Sequence, residues 1–122
     1  MNPIITEEML DNWHACDSQV YLFTRLFGDS AEVTFENVTR AESKGLSVIW
    51  LFLQLATYDQ AAWFYEERKK LIIAYERIED YAVRQKVYEA QSSANIAIWW
   101  NCIHNYILYM ALLMVLGRNN NV

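Results

Sequence analysis

"IAIWWNCIHNYILYMALLMVLG", residues 96–117, is apolar almost without a break; Asn101, Cys102, His104 and Asn105 are the interruptions before Gly117. Three readings compete for it: a membrane span, half of a metal site, or the middle of a protein core. Which one holds decides the fold. Length favours the membrane, because the 21 residues 96–116 would extend about 31 Å as a helix, enough for a hydrocarbon layer. Polarity and flanking charge oppose it. Asn101, His104 and Asn105 stand at i, i+3 and i+4 and so gather on one helical face. Arg118 is the only base that follows, too little for an interfacial anchor. The stretch is read as a buried core helix, and a small membrane protein anchored by a C-terminal helix is the first alternative.

The metal reading rests on "HAC" at 14–16 and "CIH" at 102–104, which together hold every Cys and His of the chain. His14, Cys16, Cys102 and His104 would make a Cys2His2 zinc set. On a helix, however, residues i and i+2 point about 200° apart, so each pair would face opposite sides. A structural zinc site requires one pair to be non-helical, and it is kept as the second alternative. The expected state is two buried thiols, two hydrogen-bonded imidazoles, no metal and no cofactor.

Outward from this stretch the composition fits one helical domain spanning residues 1–122. Hydrophobic residues make up 54% of the chain, with three Gly and one Pro, so little sequence is given to turns. That is above the roughly 45–50% of ordinary globular chains. The surplus suggests an interface, most simply a homodimer. Two cysteines and no secretory leader at the start predict a reducing, cytoplasmic setting. Net charge is −5 overall; residues 1–60 carry nine acids against three bases, while residues 61–122 carry six against seven. An acidic first half repels nucleic acid, so direct nucleic-acid binding is not expected.

Capping signals divide the chain into five or six helices. Thr6 can cap a helix that opens Glu7-Glu8, and Asp17 or Ser18 the next, which ends at Gly28. Residues 28–33 read as an acidic surface loop. Thr34 caps "FENVTRAESK", closed by Gly45, and Ser47 caps "VIWLFLQLATY". Two helices around Gly45 have the outline of a DNA-binding helix-turn-helix, but the second carries no Arg or Lys for phosphate or base and reads as a buried helix. Asp59 can start a long helix with one apolar stripe, Phe64, Leu71, Ile72, Tyr75 and Ile78 among its members. The run from Tyr81 to Leu116 is expected to divide or bend near Gln91-Ser92-Ser93, where serines compete for backbone hydrogen bonds. The fold class expected is all-α, a compact bundle whose most buried elements are residues 48–58 and 96–116.

Arg68 is misplaced on that stripe, between Phe64 and Ile72. A buried charge needs partners, and the polar face Asn101, His104, Asn105 would supply them if the two long helices are neighbours. Glu79 is a further candidate partner for Arg68. These residues form the candidate buried polar network.

No Gly-x-Ser-x-Gly, phosphate-cradling Gly loop, His-Glu-x-x-His or Glu-x-x-His is present, so no catalytic residue is assigned and the chain is read as non-enzymatic. The contact surface expected instead is the acid set Asp29, Glu32, Glu36 and Glu42, with Tyr58 and Trp63 as aromatic anchors. Its partner would be a protein with a basic surface.

The residues Cys16, Leu22, the run Glu32-Val33-Thr34-Phe35-Glu36-Asn37, Arg40-Ala41, Gly45-Leu46, Trp50-Leu51 and Leu55 resemble a loose pattern found in small uncharacterised proteins of phages and other mobile elements. It covers about a third of the chain. Where such proteins turn alanine-rich, this one is aromatic and aliphatic. The resemblance implies a setting: anti-CRISPR proteins are similar in size and charge, and the chain would be a phage-encoded inhibitor that binds a host defence complex stoichiometrically inside a bacterial host.

Overall fold

The computed structural model describes residues 2–84 and 90–120, with side chains over 2–77 and 100–117. The elements run β1 (Ile4–Thr6), α1 (Glu7–Asn12), α2 (Asp17–Phe27), β2 (Ser30–Glu32), α3 (Phe35–Ser43), α4 (Val48–Leu55), α5 (Tyr58–Arg84) and α6 (Ala90–Asn120). The protein is an all-α bundle carrying one two-stranded ribbon.

The helix starts follow the capping chemistry. Thr6 accepts from the Met9 N–H at 3.1 Å, Thr34 from Asn37 at 3.1 Å and Ser47 from Trp50 at 3.3 Å, each satisfying an N–H that has no partner within its own helix. Two starts differ from the sequence reading. Cys16, not Asp17 or Ser18, occupies the cap of α2 and makes no side-chain cap bond, because Asp17 is already helical. α5 begins at Tyr58, behind a reciprocal box: Gln60 N–H donates to Thr57 Oγ1 at 3.2 Å, and Thr57 N–H donates to Gln60 Oε1 at 2.8 Å.

Helix ends use left-handed residues. Gly45 has φ +87°, and its N–H reaches Glu42 O while Leu46 N–H reaches Ala41 O. The same pair of bonds closes α1, His14 to Asp11 O and Ala15 to Leu10 O, with His14 itself at φ +60°. Both are Schellman motifs. Gln19 ties the α3–α4 turn to α2, donating to Gly45 O and accepting from Ser47 N–H.

Residues 30–32 are a strand rather than loop. Antiparallel to β1, they pair Ile4 with Glu32, Ile5 with Ala31 and Thr6 with Ser30, and the ladder extends through Val33 N–H to Pro3 O and Glu7 N–H to Asp29 O. Ile5 and Val33 are buried while Glu32 and Ser30 face out. Burial of those apolar side chains holds a segment whose own β propensity is weak.

α6 is the element around which α3, α4 and α5 pack. Its buried residues Asn105, Leu108, Ala111, Leu112, Val115 and Leu116 recur every three or four positions, the stripe of a core helix. Residues Trp100–Gly117 are also long and apolar enough to cross a membrane by length and composition; in this fold their stripe faces protein. α5 runs antiparallel to α6, since Tyr75 meets Trp100 while Arg68 lies beside His104 and Asn105. Gln91, Ser92 and Ser93 lie within α6 rather than at a helix boundary. α4 is less buried than its composition suggests: Val48 and Phe52 are enclosed, whereas Leu53 is exposed. Phe52 packs against Phe64 with ring centroids 5.1 Å apart and planes tilted by 47°, joining α4 to α5.

Candidate functional site

Three helices converge on a polar pocket of about 500 Å³. α3 contributes Thr39, Glu42 and Ser43, α5 contributes Arg68, and α6 contributes Trp100, Asn101, His104 and Asn105. Helical spacing explains why these side chains share a cavity: 39, 42 and 43 lie on one face of α3, and 100, 101, 104 and 105 on one face of α6. Phe35 sets α3 along α6 by packing on Tyr106 and Tyr109 at 6.3 and 6.4 Å, which leaves the far end of α3 beside residues 100–105.

The four residues of the expected polar network, Arg68, Asn101, His104 and Asn105, are thus brought together. Their burial is graded: Asn105 is 8% exposed, Arg68 and His104 are half-buried, and Asn101 is open to solvent. Glu79 lies outside the residues whose side chains are described. Burial first, and the Arg68 cation second, hold the His104 imidazole below its ordinary range; Glu42 and a hydrogen bond with Asn105 act the other way. Both charges therefore act on the same ring. The imidazole also stacks on the Trp100 indole, with centroids 5.8 Å apart and planes 17° from parallel.

Two residues that line this pocket each hold a polar atom that is itself closed to solvent and has no hydrogen-bond partner among the described residues: Thr39 Oγ1 and Arg68 Nε. Such atoms cost about 1–3 kcal/mol each when nothing satisfies them.

The other expected residues divide. Asp29, Glu32 and Glu36 are exposed in sequence along the turn before β2, β2 itself and the first turn of α3. Glu42 is not with them; it lines the pocket. Tyr58 is 88% exposed and Trp63 41%, on the first turns of α5. Thr39 and Ser43 were not singled out from sequence, because only the docking of α3 on α6 gives them a role.

The cysteines and histidines do not assemble. Among the described residues no three His, Cys, Asp or Glu side chains are grouped to hold a metal, although His14 and Cys16 do leave the helix. Both cysteines are exposed rather than buried; helix packing places neither on a core face. The Ser18 hydroxyl, and after it the Gln19 N–H, hold the Cys16 thiol below its ordinary value. A distinct apolar cleft of about 60 Å³ lies in the first half of the bundle, against Phe23, Val38, Val48 and Leu112.

No protein-family model matches this chain, and it matches no curated protein and no solved structure. The class that fold and site define is a small all-α bundle with a polar pocket between α3, α5 and α6.

Proposed function

We propose that the protein is a non-enzymatic binding module whose acidic edge engages a basic protein surface, and that it acts by stoichiometric occupation of that surface. One observation carries the reading: Asp29, Glu32 and Glu36 are all exposed along a single continuous run of backbone, and no described ion pair neutralises any of them, the one such pair being Lys70–Glu67. The run is held in place. β2 is laddered to β1, and Asn37 Nδ2 donates to Glu32 O at 2.9 Å. Preorganised like charges raise the association rate with an oppositely charged groove and cost little ordering on binding.

A basic groove built for nucleic acid suits such an edge, which agrees with the phage-protein resemblance and with an inhibitor of a host defence complex of the anti-CRISPR kind. Tyr58 and Trp63 offer aromatic anchor area. A second copy is part of the reading, because Tyr65, Ile72 and Ile73 leave further apolar surface exposed on α5.

The test is inhibition of target cleavage by purified guide-loaded CRISPR effectors, with the Asp29→Lys, Glu32→Lys, Glu36→Lys triple variant as control. Inhibition by the natural chain, lost in the variant at unchanged helicity, supports the reading. Equal inhibition by both proteins refutes the acidic edge as the contact. Light scattering reads the dimer in the same preparations.

A further inference from the structure

The pocket between α3, α5 and α6 carries a second inference, independent of the acidic edge. Among the described residues its lining holds one cation and one anion, Arg68 and Glu42, which do not pair with each other. Two carboxamides, two hydroxyls and an imidazole complete the polar wall, and the stacked Trp100–His104 pair forms a flat apolar one. A simple anion would meet Glu42, and a simple cation would meet Arg68. A guest carrying both signs meets neither penalty.

We propose that this pocket binds a small zwitterion, a free α-amino acid, with its carboxylate on Arg68 and its ammonium on Glu42. The guanidinium suits a carboxylate because its fork of N–H donors is planar and fixed, and Arg68 lines the cavity from α5. Asn101 and Asn105 each present a donor and an acceptor, and their two amides read polar atoms of the ligand's side chain while the Trp100 indole covers its carbons. A cavity of about 500 Å³ falls within the roughly 300–1,000 Å³ of small-molecule sites.

The probes are the twenty standard L-amino acids, each titrated into the full chain and followed by thermal denaturation, with calorimetry on any that respond. The expected result is a saturable rise in melting temperature with at least one amino acid at concentrations up to about 10 mM. The N-acetyl derivative of that amino acid, which lacks the ammonium, and its amide, which lacks the carboxylate, should each bind about tenfold or more weakly. Glu42→Gln is nearly isosteric and should lose binding with a cooperative melt retained; Arg68→Lys keeps the charge, loses the fork, and should bind about tenfold more weakly. No response to any of the twenty overturns the proposal. So does a response that the blocked derivatives and both variants leave within about twofold, since binding would then lie elsewhere. Loss of the acidic-edge activity alone leaves these titrations unchanged, so the two readings fail separately.

Discussion

Arg68→Met separates what the pocket contributes to stability from what it contributes to binding. Arg68 lies at i+4 from Phe64 and three residues before Leu71, both buried, so its methylene stem covers the apolar stripe of α5. Methionine has a comparable unbranched stem and preserves that packing. What it removes is the buried Nε, which has no described partner. An unsatisfied buried donor costs about 1–3 kcal/mol; because Arg68 is only half-buried, the low end applies. The variant is expected to be about 1 kcal/mol more stable than the natural chain, a rise of about 4 °C in melting temperature for a domain of this size. Urea denaturation gives the difference directly, provided the two proteins share one m-value. The His104 resonance should at the same time titrate at higher pH, because the cation that opposes its protonation is gone. A loss of about 1 kcal/mol or more would refute the reasoning by showing that the guanidinium is held by a partner in solution. An unmoved His104 titration would show that Arg68 does not sit beside it.

Three other perturbations follow from the same geometry. His104 is held below its ordinary range, so the folded state binds fewer protons than the unfolded one as pH falls from about 6.5; that contribution to stability is complete above this pH, declines below it, and disappears from the pH profile in His104→Asn, as melts between pH 5 and 8 (roughly the window in which histidine titrates) will show. Thr57→Ala removes the hydroxyl that accepts from Gln60 N–H and should cost about 1 kcal/mol, with faster amide exchange confined to the first turn of α5. Val38→Ile should add up to about 0.8 kcal/mol by placing one methylene in the 60 Å³ apolar cleft that Val38 lines; destabilisation in chemical denaturation would mean the cleft is closed to a larger side chain.

Much of the architecture was legible because its signals are local. Thr6, Thr34 and Ser47 cap helices by bonding N–H groups three residues away, and Gly28 and Gly45 adopt positive φ at helix ends where a side chain is disfavoured. The β ribbon was not legible. Its strands are three residues each, about 26 residues apart in sequence, too short for an alternating pattern to stand out. His14 draws notice in the sequence for its imidazole, whereas the structure uses its backbone in the left-handed turn after α1. For the pocket, α6 spacing and the misfit of Arg68 on its stripe pointed to four residues, but the wall supplied by α3 depends on tertiary docking. Glu42 shows the limit: by composition it belongs to an acidic surface, and by packing it faces Arg68 and His104 across a cavity.

The polar triad of α6 is what joins these observations. A helix required only to fill a core would carry Leu at position 105, since a carboxamide that is 8% exposed must find hydrogen bonds there or lose stability. Asn101, His104 and Asn105 instead interrupt the most apolar stretch of the chain on one side only, and that side is the one opposed by Thr39, Glu42 and Arg68. Beyond Asn105 the same helix reverts to a continuous buried stripe from Leu108 to Leu116. α6 therefore has two territories along its length, a polar one that lines a cavity and an apolar one that holds α3 and α4. Retaining three polar residues opposite a cation in the first territory gives up apolar burial that the second supplies.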